Sequence, residues 1–361
     1  MVPDRIRVLV VDDSAFARSV ISKKLESDPD LEVVGFARDG VEALEQVKAL
    51  RPNVVTLDVT MPRMDGLLAL ELIMDAYPTP VVMLSALTSE HSQTTIEALE
   101  LGAVDFFLKP SALSGASFDG AMAELVDKIK VVSTVNGARL KNIANWNRDH
   151  RIKAKASPPA RTGRMNRVIV LGASTGGPRA LAELLPALPK DLPAPILLVQ
   201  HMPPTFTKSL AQRLNQASDL EVKEAEAGDK VRAGQVLLAP GGYHLMVTKD
   251  DEIALNEDPF ECGVRPSVNV TMQSAAQTYG KLVLGVVLTG MGNDGTRGSA
   301  LIRATGGQVL VEDESTCAIF GMPRSIIESG NADRVVPLPD LAQEIIQLCG
   351  APRPRKASVG G

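Results

Sequence analysis

The segment RVIVLGASTGGP, residues Arg167–Pro178, decides the fold of the second half of this chain. Its aliphatic run has the composition of a buried parallel strand, and the glycines after it allow a tight turn. Pro178 stands where a helix would begin, and proline suits the first helical position. Strand, turn and helix in this order are the repeating unit of parallel α/β sheets. The segment therefore predicts a strand that delivers Ser174 to the carboxyl edge of such a sheet.

Strand-like and helix-like segments continue to alternate up to residue 348, with strand-like runs in APILLVQH, KLVLGVVLTG and GQVLVED. The segment QVLLAPGGYHLMV, residues 235–247, predicts a hairpin because two apolar runs flank Pro-Gly-Gly. The sequence thus predicts a doubly wound α/β domain over residues 167–348 with a hairpin insert. Residues 349–361 are predicted to form a disordered tail.

Residues 5–125 have the same organisation, with five strand-like runs: IRVLVV, EVVGFA, NVVTLDV, PVVMLSA and VDFFLK. The stretches between these runs place apolar residues on one helical face, as Phe16, Val20 and Ile21 do in the first stretch. Asp39 is expected to cap the second helix. Strands that alternate with helices at this spacing predict a doubly wound sheet of five parallel strands.

The segment between the two predicted domains, residues 126–166, is predicted to be a basic flexible linker. Its part from Asn136 to Met165 carries eight Lys or Arg residues against one acidic residue, Asp149. The sequence SPPA within it cannot continue a helix. Such a charge run is more typical of a solvated linker than of a nucleic-acid or membrane site.

The composition of the chain limits the classes of function that it can have. The 361 residues suggest two domains, and the net charge of −5 with 3% aromatic residues does not favour nucleic acid as a partner. The three cysteines form no C-x-x-C pair, which fits a reducing compartment without zinc or redox work. The apolar run at the N-terminus is too short for a signal peptide or a membrane span. We therefore expect a cytoplasmic protein without membrane insertion.

The strands of the first half end in residues of complementary chemistry: Asp12 and Asp13, Asp58, Ser85 and Lys109. The carboxyl ends of parallel strands meet at one edge of a sheet, so these side chains are expected to converge. Three carboxylates close together suit Mg²⁺, and Lys109 and Ser85 can contact an anion bound to the metal. One such aspartate alone would indicate a helix cap, whereas the set indicates a site.

This half resembles the receiver domain of two-component response regulators, which has a flavodoxin-like fold. The resemblance covers about residues 5–125 and includes LDVTMPRMDG and LKP after the third and fifth strands. It implies phosphorylation by a histidine kinase, with Mg²⁺ as the cofactor. It assigns the phosphoryl group to Asp58, Mg²⁺ to Asp12, Asp13 and Asp58, phosphoryl contacts to Ser85 and Lys109, and the aromatic switch position to Phe106.

The turn LGASTGGP can be a cradle for a phosphate or a corner that presents Ser174 as a nucleophile. A P-loop needs a lysine after its glycines, and here Pro178 follows Gly177. A dinucleotide site needs an acidic residue at the end of the next strand, which instead ends in Gln200 and His201. Both phosphate interpretations lack their key residue. A serine beside the free amides of a helix N-terminus fits better.

A nucleophilic serine needs a base and a carboxylate that holds this base. Of the four histidines, His201 is favoured because it ends the strand after the serine corner, and His244 is the second candidate. His91 and His150 lie in the first half and the linker. Asp294 follows a further strand in TGMGNDG and is the expected carboxylate, although capping of the next helix is an alternative role.

The pieces GASTGGP, QHMPPTFT, LAPGGYHL and LTGMGNDG resemble the catalytic domain of the CheB family of chemotaxis protein-glutamate methylesterases. The resemblance implies hydrolysis of glutamate methyl esters, and deamidation of glutamines, on chemoreceptors at the inner face of the membrane. It assigns Ser174 as nucleophile, His201 as base, Asp294 as its partner, and the backbone amides of Thr175 and Met291 as the oxyanion hole. No cofactor is needed for this reaction, and phosphorylation of Asp58 is expected to uncover the catalytic site.

Two other outputs are weighed against this resemblance. The first is a module that binds an anionic ligand through its glycine-rich turns, but a histidine and an aspartate are superfluous for that task. The second is a DNA-binding output, but residues 167–348 contain no compact basic helix-turn-helix pattern. A common lipase or esterase is disfavoured because the order Ser, His, Asp differs from that of the α/β-hydrolases.

Overall fold

The computed structural model describes residues 5–86, 89–110, 116–135 and 165–350, without the side chains of residues 89–91 and 116–117. The chain divides into two compact units, Met1–Arg151 and Ile152–Gly361. In the described part of the chain, no helix combines the length and apolar character needed to cross a membrane.

The first unit contains a five-stranded parallel sheet in the order β2-β1-β3-β4-β5. The strands are β1 (Ile6–Val11), β2 (Leu31–Ala37), β3 (Val54–Asp58), β4 (Val81–Ser85) and β5 (Asp105–Leu108). The helices are α1 (Ala15–Glu26), α2 (Gly40–Leu50), α3 (Gly66–Ala76), α4 (Ser89–Leu101) and α5 (Ala116–Val132). This confirms the predicted five-stranded doubly wound fold. Because β1 has β2 on one side and β3 on the other, the strand order reverses at β1, and the crevice beyond its carboxyl end suits a ligand.

Local capping explains where these helices begin. The Asp39 carboxylate accepts hydrogen bonds from the amides of Val41 and Glu42, as the sequence predicts for the second helix. Ser14 accepts from the amide of Ala17 at the start of α1. Each cap satisfies amides that have no partner within the helix, so each helix starts directly after its capping residue, two or three residues beyond the preceding strand.

The predicted boundary at residue 125 is wrong, because α5 continues to Val132. Leu125, Ile129 and Val132 recur at helical spacing and are fully buried, so the first unit needs this last turn and a half for its core. The remainder of the predicted linker, residues 136–164, lies outside the described residues.

The second unit contains a seven-stranded parallel sheet in the order β14-β13-β12-β6-β7-β9-β8. Its strands are β6 (Val168–Ala173), β7 (Ile196–Gln200), β8 (Glu221–Glu224), β9 (Gln235–Leu238), β12 (Val283–Val287), β13 (Gln308–Glu312) and β14 (Arg334–Val336), and a separate pair is formed by β10 (His244–Val247) and β11 (Ile253–Asn256). The helices are α6 (Gly177–Leu184), α7 (Phe206–Ala217), α8 (Val268–Tyr279), α9 (Thr296–Ala304), α10 (Met322–Glu328) and α11 (Leu338–Cys349). Short 3₁₀ turns follow α6 and α8 at Leu185–Ala187 and Gly280–Leu282.

The predicted hairpin over residues 235–247 is wrong in position. Its first arm, β9, lies in the parallel sheet between β7 and β8, where Val236, Leu237 and Leu238 are fully buried. Its second arm, β10, leaves the sheet and pairs antiparallel with β11. Apolar runs on both sides of Pro-Gly-Gly therefore reflect a buried parallel strand followed by an insert, and the hairpin insert begins one strand later than predicted.

The predicted tail also begins too early. Cys349 is the last residue of α11 and is buried, so the helix holds this residue in the folded unit. Gly350 ends the helix in the left-handed conformation that favours glycine. Residues 351–361 lie outside the described residues.

Hydrogen exchange of the full chain tests the revised end of the first unit. We expect the amides of residues 126–132 to exchange as slowly as the rest of α5, and Ile129→Ala to accelerate this exchange, because losing a buried isoleucine side chain costs about 2–5 kcal/mol. Asp127→Ala, at an exposed position of the same helix, is the control and should leave the exchange rates unchanged. Fast exchange of residues 126–132 in the unmodified chain would restore the linker interpretation.

Candidate active site and acidic cluster

Strand register places the predicted nucleophile and base side by side. In the pairing of β6 with β7, Ala173 lies opposite Gln200, so Ser174 and His201 follow at the carboxyl ends of adjacent strands. On the other side of β6, Gly172 lies opposite Val287 of β12. The strand order therefore reverses at β6, and the loop after β12 reaches the same edge.

The serine turn is held by close packing and by backbone hydrogen bonds. The amide of Ser174 donates to the carbonyl of Thr289 (3.0 Å), and its carbonyl accepts from the amide of Gly177 (2.7 Å). Gly176 has a φ of 77°, which disfavours other residues. A Cβ on Gly290 would lie 2.7 Å from the Cβ of Ser174, so glycine is required for this close approach.

Ser174 lies immediately before the N-terminus of α6 and is partly exposed. Within the described part of the chain its hydroxyl has no hydrogen-bond partner, and the amide of Met291 has no acceptor. The first amides of a helix lack partners within the helix, so they can stabilise negative charge on a reacting oxygen. The serine hydroxyl is thus unengaged in a setting that suits nucleophilic attack.

His201 and Asp294 form a hydrogen-bonded pair with 2.8 Å between Nε2 and Oδ2. Their side chains are 10% and 2% exposed, so the pair is largely removed from water. Since a carboxylate only accepts, Nε2 carries the proton and the lone pair of the neutral ring is on Nδ1. Among the described residues Nδ1 has no partner, and it is therefore the nitrogen that can act as a base.

The Asp294 carboxylate is buried among donors. It accepts hydrogen bonds from the Ser267 hydroxyl and from the amides of Val268, Asn269 and Gly295, at 2.6–2.9 Å. Burial by itself would raise the pKa of Asp294, but His201 and these amides outweigh it and hold the pKa below its usual value. The carboxylate is consequently ionised at neutral pH and can stabilise a positive charge on His201.

Asp294 also caps a helix, although not the one that the sequence suggests. Its oxygens accept from the first amides of α8, while the helix that follows Asp294, α9, is capped by the side-chain oxygen of Asn269 through the amides of Gly295 and Gly298. Asp294, which precedes α9, therefore caps α8, and Asn269, in the first turn of α8, caps α9. This exchange fixes Asp294 on both sides, so capping and the contact with His201 are compatible roles of one carboxylate.

His244, the second candidate base, is not part of this pair. It is fully buried on β10, and among the described residues its one hydrogen bond joins Nε2 to the carbonyl of Pro259 (3.2 Å). The side chain of His91 and the whole of His150 lie outside the described residues.

Three residues that sequence reasoning did not assign connect the site to the sheet. Gln200 donates from Nε2 to the carbonyls of Ser174 (2.9 Å) and His201 (3.3 Å). The hydroxyl of Thr289 donates to the carbonyl of Thr175 (2.9 Å), and the buried Glu312 accepts from the Thr289 amide (2.8 Å). Apart from the contact of Gln200 with the adjacent His201, these contacts join residues more than twenty positions apart, so no local sequence pattern indicates them.

The acidic strand ends of the first unit converge as predicted. Oxygens of Asp12, Asp13 and Asp58 lie within 4.8 Å of one another. The ammonium of Lys109 lies 2.7 Å from Asp12 Oδ2 and 2.7 Å from Asp58 Oδ2. The three carboxylates include a buried Asp12 and an exposed Asp13, an arrangement that suits Mg²⁺, which keeps several waters.

Lys109 offsets part of the negative charge of this cluster. Burial and the charges of Asp12 and Asp13 raise the pKa of Asp58 even though Lys109 opposes them. Burial would lower the pKa of Lys109, but Asp58 and Asp12 raise it above its usual value. The lysine thus stays charged beside the carboxylate and can accompany an incoming anion.

The remaining receiver positions lie beside the cluster. Ser85 is buried at the end of β4, and its hydroxyl accepts a hydrogen bond from the hydroxyl of Thr95 on α4 (2.8 Å). The Phe106 side chain is also buried, with the ammonium of Lys128 6.0 Å from its ring centroid. In this arrangement the hydroxyl of Ser85 contacts α4.

Comparison with known proteins covers both units. A family profile described as CheB methylesterase matches residues 169–345, and one described as response regulator receiver domain matches residues 8–115. A protein-glutamate methylesterase/protein-glutamine glutaminase of Symbiobacterium thermophilum is 49% identical over 353 residues, which are 96% of this chain and 97% of that protein. The chain belongs to the CheB methylesterase family.

Other CheB proteins support this membership. A Thermotoga maritima protein with the same description is 45% identical, over 95% of this chain and 98% of that protein. The crystal structure of the T. maritima CheB methylesterase catalytic domain is 47% identical and covers 51% of this chain and 98% of that domain, with a TM-score of 0.50. The matches span the serine corner and the His201–Asp294 pair, and they overturn the DNA-binding output as an alternative.

Because Asp294 both caps α8 and contacts His201, we expect its replacement to lower the stability of the second unit by an amount that depends on pH. Asp294→Asn should lower the stability of the second unit at neutral pH by about 1–3 kcal/mol, because an amide cannot accept from all the donors that the carboxylate satisfies. The folded pKa is depressed, so the carboxylate stabilises the fold above its unfolded pKa, and this stabilisation is lost as the pH falls through the folded value. Calorimetry of the full chain should therefore show the difference narrowing below about pH 4.

Asp340→Asn serves as the control, because Asp340 is exposed in the first turn of α11. It should change stability by less than about 0.5 kcal/mol. An Asp294→Asn protein as stable as the control at neutral pH would show that the hydrogen bonds to Asp294 do not support the fold.

Proposed function

We propose that this chain is a protein-glutamate methylesterase and protein-glutamine glutaminase that is activated by phosphorylation of its receiver domain. Its substrates are chemoreceptor glutamates and glutamines, and its phosphodonor is a histidine kinase. The observation that carries the proposal is the His201–Asp294 hydrogen bond next to Ser174, in a chain 49% identical to a protein-glutamate methylesterase/protein-glutamine glutaminase.

The proposed reaction begins with attack by the Ser174 hydroxyl on the carbonyl of a glutamate methyl ester. Nδ1 of His201 takes the hydroxyl proton while Nε2 donates to Asp294. The tetrahedral oxyanion accepts hydrogen bonds from the amides of Thr175 and Met291. When the intermediate collapses, the protonated His201 gives its proton to the leaving methoxide, and methanol departs from an acyl-enzyme.

A water molecule then completes the reaction. His201 removes a proton from the water as it attacks the acyl carbonyl, and the second intermediate releases Ser174 with that proton and leaves a glutamate carboxylate. With a glutamine substrate the leaving group is ammonia. In both cases the positive charge on His201 is transient, and the buried carboxylate of Asp294 stabilises it.

The first unit supplies the proposed regulation of the methylesterase. The Asp58 carboxylate attacks the phosphorus of a phosphohistidine, the P–N bond breaks, and the histidine leaves as the acyl phosphate forms. Asp12, Asp13 and Asp58 would hold Mg²⁺, whose charge would offset that of the phosphoryl group. Lys109 contacts the transferred group, and the Ser85 hydroxyl, which accepts from Thr95, turns the proton that it donates to the Ala86 carbonyl (3.3 Å) toward the new phosphoryl oxygens. Phosphorylation thereby changes the contact of β4 with α4 and shifts the unit between two states.

The proposed setting follows from these partners. The protein works in the cytoplasm, at receptor arrays on the inner face of the membrane, and it acts on receptor side chains without inserting into the lipid. Nucleic acid has no part in the proposed function. Hydrolysis itself requires no cofactor, because the serine, the histidine and the aspartate supply nucleophile, base and charge stabilisation.

Methanol release from radiomethylated receptor membranes tests the proposed reaction. Ser174→Ala and His201→Ala should each reduce kcat by about 10⁴-fold to 10⁶-fold, and the double variant should be little worse, because residues that act as one unit are not additive. Asp294→Asn should have a smaller effect, since Asp294 takes no part in bond making.

The control is His244→Gln, which replaces the buried histidine that lies outside the pair. It should keep most of the methylesterase activity once folding has been verified by circular dichroism. A folded Ser174→Ala protein that releases methanol at the unmodified rate would refute the nucleophile. Weaker binding of an anion with intact hydrolysis would favour the phosphate-cradle interpretation of the turn.

Phosphorylation by a small phosphodonor in the presence of Mg²⁺ tests the proposed control. Asp58→Asn should abolish incorporation of phosphate and the accompanying rise in methylesterase rate, while the basal rate persists. Asp65→Asn, at the cap of α3 in the same loop, is the control and should still be phosphorylated. Equal stimulation of the unmodified protein and Asp58→Asn would contradict the receiver assignment.

A further inference from the structure

The most deeply buried carboxyl group behind the serine turn is that of Glu312, which the proposed reaction does not use. Glu312 is the last residue of β13 and is fully buried. Its Oε2 accepts a hydrogen bond from the amide of Thr289 (2.8 Å), and the side chains of Thr316 and Cys317 also interact with the carboxyl group. Within the described part of the chain no donor meets its Oε1 at hydrogen-bond geometry. A buried carboxyl with an unsatisfied oxygen is costly, so its retention here requires an explanation.

Thr289 connects this carboxyl to the nucleophile. The Thr289 carbonyl accepts a hydrogen bond from the amide of Ser174 (3.0 Å). The Thr289 hydroxyl donates to the carbonyl of Thr175 (2.9 Å) and accepts a hydrogen bond from the amide of Ile319 (2.8 Å). Thr289 is therefore bonded to both residues of the serine turn. Its one remaining backbone donor, the amide, is the group that Glu312 holds.

The same contact places Glu312 close to the proposed oxyanion hole. Thr289 is two residues from Met291, whose amide is unpaired in the described part of the chain, and its hydroxyl holds the peptide of Thr175. A negative charge on Glu312 would oppose negative charge developing at these amides. A neutral carboxyl group still accepts the Thr289 amide through its carbonyl oxygen and adds no such repulsion.

We propose that Glu312 is a positioning residue for ester hydrolysis that works in its neutral form. In that form its carbonyl oxygen fixes Thr289 and hence the serine turn, and its ionisation slows the reaction. The inference rests on the proposed function, because it assigns Glu312 a role in the same reaction.

The surroundings of Glu312 support a neutral carboxyl. Burial raises the pKa of Glu312 to about 7, against opposing effects of the Thr289 amide, the side chains of Thr316 and Cys317 and the charge of Arg179 on α6. Burial also lowers the pKa of Arg179, and its Nε has no hydrogen-bond partner in the described part of the chain. The other titratable group beside Glu312 is the Cys317 thiol, whose sulfur donates to the Glu312 backbone carbonyl (3.8 Å). Among the described residues, Arg179 is thus the cation that affects the carboxyl, and its charge does not overcome burial.

The pH profile of kcat separates this role from a structural one. In the methanol-release assay, the ratio of kcat for Glu312→Gln to kcat for the unmodified protein should rise about tenfold from about pH 6 to pH 8.5, the size of effect expected for one buried charge several ångströms away. Glu312→Leu, which removes the acceptor for Thr289, should lower kcat at least tenfold across this range with a smaller change in KM. Glu314→Gln is exposed and two residues away, and it should follow the unmodified profile.

Thermal stability provides a readout that does not depend on activity. The folded pKa of Glu312 lies above its unfolded value, so the neutral carboxyl favours the fold at low pH, and this contribution is lost as the pH rises through about 7. Glu312→Gln should therefore raise Tm relative to the unmodified protein at pH 8.5 and not at pH 5, while Glu314→Gln should show no such trend.

The outcomes separate this proposal from the proposed function. An unmodified protein that releases no methanol would refute the proposed methylesterase, whereas the Tm comparison still tests whether Glu312 is neutral. A pH-independent kcat ratio for Glu312→Gln, or a Tm difference that does not change with pH, would overturn the neutral positioning role. Unmodified kcat in a folded Glu312→Leu protein would overturn the contact with Thr289 as a positioning element.

Discussion

The second unit depends on one buried carboxylate, that of Asp294. Its oxygens accept hydrogen bonds from the first amides of α8, from the Ser267 hydroxyl and from Nε2 of His201. An ionised group is costly to bury unless donors surround it, and here the donors belong to a helix end that itself lacks partners. The amides of α8 thus stabilise the buried charge, and the carboxylate supplies the hydrogen-bond acceptor that these amides lack within the helix. The orientation of His201 is a by-product of this exchange, so fold stability and the proposed chemistry share the same hydrogen bonds.

The order of strands explains why this exchange occurs at the serine. Because β6 has β7 on one side and β12 on the other, the residues after all three strands reach a common edge. The serine turn is tied to β12 through Thr289 and to β7 through Gln200. Ser174 is therefore fixed by two neighbouring strands, while its hydroxyl remains unengaged within the described part of the chain. A rigid backbone around a free hydroxyl is the preorganisation that a nucleophile needs.

Much of this arrangement could be predicted from the sequence. Strand ends mark the carboxyl edge of a parallel sheet, so Asp12, Asp58, Ser174 and His201 could be assigned to their edges from alternation alone. The hairpin was misplaced because a buried parallel strand and a hairpin arm are both short apolar runs. The sequence predicts the end of α5 too early, because Lys128 and Lys130 interrupt the apolar spacing near the end of this helix. Asn269, Thr289 and Glu312 were not assigned, since their contacts are made across the fold and leave no local pattern.

Three buried carboxyl groups show how surroundings divide their roles. Asp294 is surrounded by donors, so its pKa is lowered and it can stabilise a transient cation. Burial and two neighbouring aspartates raise the pKa of Asp58, although Lys109 opposes them, and a cation at this cluster would favour the ionised form that the proposed phosphoryl transfer needs. Glu312 accepts from one amide and also interacts with the side chains of Thr316 and Cys317, but burial outweighs these donors and the charge of Arg179, so its neutral form is favoured below about pH 7. Donors around Asp294, neighbouring charges around Asp58 and burial of Glu312 therefore match these carboxyl groups to their proposed roles as a charge, a nucleophile and a neutral hydrogen-bond acceptor.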